Sequence, residues 1–382
     1  MLQSKKVKKT KLIFYVDPMS YGNLGIYDFN LINNMKSNKI FFFGNINYDY
    51  KKFSNKITTS FLFSYSNKSN NFKKLMSYLS SMISLTKAVL VLKPKTIHIQ
   101  WIKFWFVDLL FLLLLKNRNI NVVYTAHNLL PHNSKKFDFI KFKIYYNLID
   151  KIIVHSNETK SEFKTNFNLN KNIHVIEHGI LDINISTNDI LSTKTKTRIS
   201  DKLKLKNKVV FSVLGYQDYY KGCDIVRDMW SQQSFFSEND NFQLIIWGKN
   251  KGIDYSILSD LMNVNIRDEY ISNEEFVSIV QLSSVILMPY RDISQSGLLL
   301  TAISEGVPVI VSKAGGLSEV IKYGKVGEVM NNLSPTDLMF TIQKFINNSN
   351  NRVYNNSEFS KVKKEFSWDK ILVKTESLYS QM

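Results

Sequence analysis

The stretch that decides the fold runs from Met288 to Ile321. It reads Met288-Pro-Tyr-Arg-Asp-Ile-Ser-Gln-Ser-Gly-Leu-Leu-Leu-Thr-Ala302, continues as Gly306-Val-Pro-Val-Ile-Val311 and closes as Ala314-Gly-Gly-Leu-Ser-Glu-Val-Ile321. Twice, an apolar strand leads through a turn of small residues into a helix. The first turn of such a helix offers unpaired backbone N–H groups and the positive end of the helix dipole, which favour phosphate. Two such turns in order predict a site for a diphosphate and a sugar.

The same alternation of strand and helix extends over most of the chain. Strands are predicted at Lys11–Val16, Lys39–Phe43, Thr96–Gln100, Asn121–Thr125, Lys151–His155, Ile173–Glu177, Val209–Leu214, Gln243–Trp247, Val264–Arg267, Val285–Pro289 and Val307–Val311. Segments of helical period lie between them, among them Phe72–Leu92, Phe104–Leu115, Phe139–Leu148 and Asn273–Leu282. Apolar strands that alternate with helices are typical of parallel sheets covered on both faces. We therefore predict an α/β fold of two doubly wound, Rossmann-like domains.

The 382 residues are too many for one ordinary core and suit two domains. The stretch from Leu181 to Asn207 has no clean period and is rich in Ser, Thr, Asn and Lys. We place the boundary there, with an N-terminal domain at 1–190, a second domain at 191–365 and a terminal helix at 366–382. Two doubly wound domains are expected to place a ligand cleft between the carboxyl ends of their strands.

The composition of the chain limits the cellular compartment and the kinds of membrane contact that can be expected. The single cysteine, Cys223, allows no disulfide within the chain, and no signal-peptide pattern is seen, so a cytoplasmic location is expected. The longest apolar stretch, Phe104–Leu115, is shorter than the about 20 residues of a spanning helix. It is interpreted either as a buried helix or as one that dips into a membrane.

The formal net charge of +18 favours an anionic partner. Between Lys135 and Tyr146, basic residues alternate with aromatic ones, a pattern that fits a face resting on an anionic membrane surface and equally a solvated helix with a core stripe. No nucleic-acid-binding module is recognised, so no nucleic-acid partner is expected.

The ordered pair of turns resembles glycosyltransferase family 4, of the GT-B type, and most closely members whose loop reads Ser-Gln-Ser-Gly. The resemblance implies that a nucleoside diphosphate sugar is the co-substrate, that no cofactor or metal is needed, and that this loop binds the donor. The donor-binding residues implied here are Arg291, Ser294, Gln295, Ser296, Gly297, Thr301, Gly315 and Gly316. Many family members carry two glutamates in this region, where this chain has Ser294 and Thr301; Asp292 and Glu305 are the nearby carboxylates.

A second donor-side segment reads Val213-Leu-Gly-Tyr-Gln-Asp-Tyr-Tyr-Lys-Gly222. By resemblance to the family, Lys221 neutralises the departing diphosphate, and the turn residues Gly215 and Gly222 approach the donor. The family's arginine is missing, and Arg267 or Arg291 is the candidate to supply its charge. The resemblance also places Gly248 and Lys249 beside the nucleotide base, and Tyr270 and Ile271 where backbone amides read that base.

The acceptor side is predicted from the N-terminal half. The segment Thr125-Ala-His-Asn-Leu-Leu-Pro-His132 resembles the family segment that places a histidine near the donor sugar, so His127 is assigned a catalytic contact, with Asn128 and His132 as acceptor-side candidates. The spacing of His127 and His132 does not suit a metal pair. The glycines Gly22 and Gly25 follow the first strand, and Gln100 and Trp101 end another; they complete the acceptor-binding set, although a core role for Trp101 is an equal alternative.

The function implied by the resemblance is that of a retaining hexosyltransferase-like enzyme. The basic charge and the aromatic segment suggest a lipid-linked saccharide acceptor at the inner face of the cytoplasmic membrane, as in lipopolysaccharide, capsule or other surface polysaccharide synthesis. Two alternatives stay open: a GT-B enzyme with a soluble sugar-phosphate acceptor, and a non-catalytic nucleotide-sugar-binding or scaffold protein.

Overall fold

The chain divides into two compact α/β units. The computed structural model describes residues 11–36, 38–64, 71–130, 136–168, 172–180, 189–293 and 295–382. The first unit comprises residues 1–179 together with 368–382, and the second comprises 180–367. The division therefore falls earlier than the predicted boundary at 190, and the terminal helix belongs to the first unit. The predictions on His132 and Ser294 lie outside the described residues.

The first unit is built on a sheet of seven parallel strands in the order β3-β2-β1-β4-β5-β6-β7. Its elements are β1 (Lys11–Val16), α1 (Asn23–Ile32), β2 (Asn38–Asn45), β3 (Ile57–Phe63), α2 (Asn71–Leu92), β4 (Thr96–Ile99), α3 (Trp105–Asn117), β5 (Asn121–Thr125), α4 (Lys136–Leu148), β6 (Lys151–Val154), α5 (Asn157–Phe167), β7 (Asn172–Val175) and, from the end of the chain, α14 (Trp368–Ser380).

The strand order sets which face of this sheet each helix covers. The connection from β1 to β2 runs in one direction across the sheet. The four connections β3–β4, β4–β5, β5–β6 and β6–β7 run in the opposite direction. Because such crossovers are right-handed, α1 lies on one face and α2 to α5 lie side by side on the opposite face. The packing agrees, since α1 contacts α14 and α3 contacts both α2 and α4.

Helices α2, α3 and α4 carry apolar side chains on two faces rather than one. On α3, for example, Phe111, Leu112 and Leu115 are buried against the sheet, while Phe106 and Leu110 are exposed. The stretch Phe104–Leu115 is therefore half-buried. Among the described residues, α2 is the one helix whose length and composition would allow it to cross a membrane, with a mean hydropathy of 1.6 in its apolar window.

The aromatic residues between Lys135 and Tyr146 are divided between two faces of α4. Tyr145 and Tyr146 are fully buried in the core of the first unit, and Phe139 and Phe142 pack against the same core. Only Phe137 of that aromatic set is exposed, at 62%. The aromatic segment is thus mainly a core stripe, which is the second of the two alternatives that the sequence left open.

The second unit contains a sheet of six parallel strands in the order β10-β9-β8-β11-β12-β13. Its elements are α6 (Asp189–Lys202), β8 (Val209–Leu214), α7 (Cys223–Gln232), α8 (Ser234–Ser237), β9 (Phe242–Trp247), β10 (Val264–Arg267), α9 (Asn273–Leu282), β11 (Val285–Met288), α10 (Gly297–Glu305), β12 (Val309–Val311), α11 (Leu317–Ile321), β13 (Gly327–Val329), α12 (Pro335–Asn350) and α13 (Asn356–Glu365).

Each sheet has one point where the strand order reverses, and this positions the candidate sites. In the first sheet the reversal lies between β1 and β4, and in the second it lies between β8 and β11. Open α/β sheets bind ligands at the carboxyl ends of the strands beside such a point. The loops that follow these four strands contain about half of the residues selected from the sequence.

Candidate functional site

The carboxyl edge of the second sheet brings together the loop after β8 and the loop after β11. The first loop passes from Gly215 through a 3-10 turn, Tyr219–Lys221, to Gly222 and the start of α7. The second runs from Pro289 to Gly297 at the start of α10. We call this region the donor edge.

Two glycines at the donor edge are required by close backbone contacts. A Cβ on Gly248, which follows β9 with φ of 144°, would lie 1.8 Å from the carbonyl oxygen of Gly215. A Cβ on Gly222 would lie 2.0 Å from the carbonyl oxygen of Pro289. No other residue fits either position without moving the backbone, so these glycines hold the strand ends of β8, β9 and β11 together.

Arg291 joins the two loops of the donor edge. Its guanidinium donates two hydrogen bonds of 2.7 Å to the carboxylate of Asp224 and a third of 2.6 Å to the carbonyl oxygen of Tyr219, whose ring it covers at 3.8 Å. This bidentate pairing fixes the loop and neutralises the charge. The geometry therefore gives Arg291 a loop-positioning role and does not favour it as the missing donor-site cation.

The other cations of this edge differ in whether a carboxylate neutralises them. Arg267 pairs with Glu275 at 2.7 Å and with Glu269, and Lys249 pairs with Asp268 at 2.9 Å. The ammonium of half-buried Lys221 lies over the ring of Tyr290, and within the described residues it forms no salt bridge. Lys221 is thus a cation beside the Gly215 turn that an incoming anion can pair with.

The stretch that holds the arginine in the family has a different role here. Gln217 is fully buried, and its side-chain amide donates to the carbonyl oxygens of Gly248 at 2.7 Å and Arg267 at 3.1 Å. It therefore ties the ends of β9 and β10 to the donor edge. The neighbouring Tyr216 is exposed, and its hydroxyl lies 3.3 Å from that of Tyr270.

The start of α10 is a capped helix N-terminus in the loop after β11. Ser296 is the N-cap, and its hydroxyl accepts a hydrogen bond from the backbone N–H of Leu299 at 3.4 Å. The preceding residue, Gln295, is described, and Ser294 is not. The N–H groups in the first turn of a helix lack acceptors within it and can bind an anion.

Two side chains predicted to act on this helix do not face a ligand. Thr301 is 2% exposed, and its hydroxyl donates to the carbonyl oxygen of Gly297 at 2.9 Å. The prediction that Thr301 contacts the donor therefore does not agree with its burial. Glu305 ends α10, the far end from Gly297, and accepts a hydrogen bond from Gln281, so it does not replace a donor-site glutamate.

The Gly315-Gly316 turn follows β12, the strand next to β11. Ser312 donates a hydrogen bond of 2.6 Å to the carbonyl oxygen of Tyr290 and accepts one of 3.2 Å from the N–H of Ala314. Gly315 adopts a positive φ of 53°. The predicted pair of turns therefore does lie at one edge of one sheet, as the order of the motifs in the sequence requires.

In the first unit, two buried carboxyl groups meet at the reversal between β1 and β4. Asp17 follows β1, and Asp28 lies on α1, where it accepts a hydrogen bond of 2.8 Å from Tyr15. Burial raises the pKa of Asp17 to about 6, and burial together with the charge of Asp17 holds the pKa of Asp28 well above its usual range. The pair therefore shares a proton near neutral pH.

The glycines predicted for the acceptor side lie in the same loop. The N–H of Gly22 donates to the carboxylate of Asp49 at 3.0 Å, and Gly25 packs against the ring of Tyr48. The loop is thus held against the segment that follows β2. This placement is compatible with a ligand contact by Gly22, whose Cα faces open space.

His127 lies in a cluster of buried polar side chains at the ends of β4, β5 and β6. Its Nε2–H donates to the side-chain oxygen of Gln100 at 2.8 Å, and its Nδ1 faces Nε2 of His155 at 3.4 Å. The indole of Trp101 stacks on the His127 ring, with centroids 5.0 Å apart and an interplanar angle of 12°. His127 is therefore held in one orientation by groups that follow two neighbouring strands, β4 and β6.

Burial keeps the imidazoles of this cluster neutral. Desolvation lowers the pKa of His98 to about 3 and of His155 to about 4, and the nearby His155 adds to the effect on His98. The pKa of His127 is well below its ordinary value because of burial and the neighbouring His155, His178 and His98. Within the described part of the chain, no three His, Cys, Asp or Glu side chains are arranged as metal ligands.

Gln100 is a supporting residue rather than an acceptor contact. It is fully buried, and its amide also donates to Nε2 of His98 at 3.1 Å. The prediction of direct acceptor binding by Gln100 is therefore not supported by its position, which orients His127 instead. Trp101 is half-buried and does lie beside His127, and the half-buried Asn128 follows that histidine.

Two known domain types match the chain. The model of Glycosyltransferase Family 4 matches residues 63–181, and that of Glycosyl transferases group 1 matches residues 207–348. The first match contains His127, and the second contains both loops of the donor edge. The chain is a glycosyltransferase family 4-like protein with the GT-B fold.

Individual proteins resemble this family 4-like protein at low identity. An uncharacterized glycosyltransferase of Methanocaldococcus jannaschii is 26% identical over 242 residues, which cover 60% of this chain and 59% of that relative. The match thus spans less than two thirds of the relative's length. The sucrose-phosphate synthase of Thermosynechococcus elongatus superimposes with a TM-score of 0.72 at 16% identity, covering 97% of this chain and 98% of that one.

The Anabaena protein HepE, solved in complex with UDP-glucose, superimposes on this family 4-like protein with a TM-score of 0.70 at 12% identity, covering 97% of this chain and 100% of that one. Identities this low establish the fold alone. The predicted two-domain α/β fold of GT-B type is confirmed.

Several residues of these sites were not selected from the sequence of the family 4-like protein. Asp17, Asp28 and His155 were passed over, as was the pairing of Asp224 with Arg291. A signal existed for Asp17, which follows the first strand directly at the reversal of the sheet. No sequence signal links Asp224 to Arg291, because the two residues lie 67 positions apart.

Proposed function

We propose that this protein is a retaining glycosyltransferase that moves a sugar from a nucleoside diphosphate sugar to a hydroxyl group of a saccharide. The observation that carries the proposal is the Lys221 ammonium, which has no carboxylate partner in the described structure and lies at the Gly215 turn. The carboxyl edge that holds this lysine also presents the N-terminus of α10. Both belong to the part of the chain that matches the group 1 glycosyl transferases.

The donor edge suits the departure of a diphosphate. Backbone amides at Ser296–Gly297 and Gly315–Gly316 are fixed dipoles, and Lys221 adds a full positive charge. Preorganised donors of this kind stabilise charge that develops in the transition state. No metal takes part in the proposed reaction.

We propose a front-face route for the reaction. The bond from the anomeric carbon to the diphosphate breaks, and the acceptor oxygen bonds to that carbon on the same face. The acceptor proton passes to an oxygen of the departing phosphate. No carboxylate nucleophile is required, in keeping with Thr301 standing where many relatives have a glutamate.

His127 is proposed to contact the sugar undergoing transfer. Its neutral imidazole can exchange hydrogen bonds with hydroxyl groups without placing a positive charge beside an oxocarbenium-like centre. The stacked Trp101 and the Gln100 hydrogen bond hold the ring in position. Preorganisation of this kind reduces the cost of orienting the group during the reaction.

The proposed acceptor is a lipid-linked saccharide at the inner face of the cytoplasmic membrane, in the synthesis of a surface polysaccharide such as lipopolysaccharide or capsule. Support comes from the exposed apolar side chains of α2, α3 and α4 in a strongly basic chain. A soluble sugar-phosphate acceptor is the second candidate, because a structural neighbour is a sucrose-phosphate synthase. Incubation with each acceptor class in turn distinguishes the two.

The donor is tested by thermal shift with UDP-, GDP-, ADP- and CMP-sugars. A ligand that binds only the native state increases the free energy of unfolding, by about 2.7 kcal/mol when its concentration is a hundred times Kd, and so raises Tm. UDP-glucose is included because HepE was solved with it. If none of these nucleotides raises Tm, the proposed donor site is wrong.

Catalysis is tested with Lys221→Ala. Loss of the ammonium is expected to lower the transfer rate by roughly a hundredfold or more, because the leaving diphosphate loses its cation. The matched control is Lys206→Ala, which removes an exposed lysine just before β8, at the opposite edge of the same sheet. Donor binding without transfer or hydrolysis in the unmodified protein would instead support the non-catalytic alternative.

A further inference from the structure

The outward side of α2, α3 and α4 is unusually apolar for a surface in contact with water. Its exposed apolar side chains project away from the sheet, and we call them the outer face: Phe72, Met76, Ile83, Val91, Phe106, Leu110, Leu113, Phe137, Ile140 and Ile144. Several are more than half exposed, with Val91 at 75% and Phe72 at 69%. Contiguous apolar patches of this kind mark interaction sites on soluble proteins.

Helical spacing shows that the outer face is distinct from the core stripe of each helix. On α3, Phe106, Leu110 and Leu113 recur at intervals of four and three residues, which places them on one side of the helix. On α2, Phe72, Met76 and Ile83 recur at intervals of four and seven. Because the three helices lie side by side on one face of the sheet, their outward stripes form a common surface.

The buried residues of α2 exclude the possibility that this helix crosses a membrane in this fold. Leu85 and Val89 of α2 are no more than 1% exposed, and Tyr78 donates a hydrogen bond of 2.6 Å to buried Asp108 on α3. Removing α2 from the sheet would expose this core. The helix can therefore meet a bilayer only along its outward side, parallel to the surface.

Charge identifies the occupant of the outer face. Residues 71–148 contain twelve Lys or Arg and two Asp. Neither aspartate offers a free negative charge, since Asp108 is buried beneath Tyr78 and Asp138 pairs with Lys141 at 3.2 Å. A second copy of this face would bring two positive surfaces together. An anionic bilayer offers acyl chains for the apolar groups and phosphates for the cations.

We propose that the outer face of α2, α3 and α4 docks on the surface of an anionic lipid bilayer. The apolar side chains enter the boundary between headgroups and acyl chains, and the flanking lysines, such as Lys73, Lys87 and Lys143, lie at the level of the lipid phosphates. This interaction involves the first unit alone. It deepens the membrane location of the proposed function by naming the surface that makes the contact, and it requires neither donor binding nor transfer.

The test is co-sedimentation of the full chain with vesicles of phosphatidylcholine alone or with 30% phosphatidylglycerol, a composition in which anionic lipid attracts basic surfaces. We expect the chain to bind the anionic vesicles, and this binding should weaken in high salt. Binding to the neutral vesicles should be much weaker. The variant Phe106→Ser/Leu110→Ser/Leu113→Ser is expected to lower the partition coefficient at least tenfold, because three apolar side chains no longer enter the bilayer.

The matched control is Phe235→Ser/Ile257→Ser/Phe340→Ser, which removes three exposed apolar residues of the second unit. It should bind vesicles like the unmodified chain. Thermal shift with nucleotide sugars should be the same for both variants, which separates this proposal from that of the donor site. The proposal is overturned if the α3 variant binds anionic vesicles as well as the control does. It is equally overturned if the chain does not bind them, or if it forms a dimer in solution that the α3 variant dissociates.

Discussion

At the scale of single residues, pairing decides which charged groups at the donor edge can act on a ligand. Arg291 and Arg267 were both candidates for the missing cation, yet carboxylates neutralise both of them. Lys221 has no such partner among the described residues and lies beside a turn of the backbone. A cation that is paired with a carboxylate fixes the position of a loop, whereas a cation without such a partner can neutralise the charge of a bound anion.

His127 offers a test at the same scale. Replacing it with Ala should lower the transfer rate by about a hundredfold, because a positioned polar group in the reaction centre typically contributes that much. The nucleotide-induced shift in Tm should not change, since the nucleotide is proposed to bind the second unit. Rates with His174→Ala, a change on β7 of the same unit, provide the comparison. An unchanged rate for His127→Ala would refute the assigned role.

Gly248 and Gly252 form a matched pair for backbone strain. Both have positive φ, 144° and 111°, but a Cβ on Gly248 would clash with Gly215 whereas one on Gly252 would meet open space. Gly252→Ala should cost about 1–2 kcal/mol, the strain of the backbone conformation alone. Gly248→Ala should cost more and lower Tm further, because the ends of β8 and β9 must separate. Equal losses in thermal melts would contradict the close contact.

At the scale of secondary-structure elements, β1 and α1 are joined through buried carboxyl groups rather than through apolar contacts alone. Tyr15 on β1 donates to Asp28 on α1, and Asp17 lies beside them. Burial of two carboxyl groups costs stability unless one of them keeps its proton. The elements are therefore paired through a group whose charge depends on pH.

Asp28→Asn should raise the stability of the protein at neutral pH. A carboxyl whose pKa is raised on folding destabilises the native state above its unfolded pKa, and the neutral amide removes that cost while still accepting from Tyr15. The gain should disappear near pH 4 and below, where the carboxyl is protonated in both states. Each kcal/mol corresponds to roughly 2–4 °C in Tm. Asp28→Leu, which leaves Tyr15 without its acceptor, should lose stability at every pH.

At the scale of the whole molecule, the histidines with lowered pKa values all lie in the first unit. His98, His155 and His178 are buried and His127 is half-buried, and the pKa values of all four are lowered, to about 3 for His98 and His178 and about 4 for His155. Unfolding exposes these imidazoles, which then bind protons below about pH 6.5. Their contribution to stability is therefore present above pH 6.5 and lost as the pH falls.

Stability should consequently decrease between pH 7 and pH 5. Each histidine contributes a slope of up to about 1.4 kcal/mol per pH unit. Asp17, Asp28 and Asp108 oppose this trend, since their raised pKa values favour the folded state at lower pH, but the four histidines outnumber them. Thermal melts at constant ionic strength measure the slope. A Tm that rises on acidification would show that the carboxyl groups dominate.

What the sequence determined by itself follows from local patterns. The predicted bounds of β1, β5, β8, β10 and α9 agree with the structure to the residue, because apolar strands and a capped, periodic helix can be recognised without any knowledge of their neighbours. The paired turns at Gly297 and Gly315 were found for the same reason. The parallel two-domain fold followed from the alternation of strands and helices and from the chain length.

Only the tertiary structure decided features that depend on distant contacts. The edge strand β3 was missed because its sequence, which mixes threonine and serine with apolar residues, has no clear apolar pattern. Helix α6 was missed because it is polar and is placed by its packing on α9. The inward direction of Tyr145 and Tyr146, the burial of Gln100 and the pairing of Arg291 with Asp224 likewise depend on residues far along the chain. Burial and charge pairing arise from three-dimensional neighbours, and local sequence does not specify those neighbours.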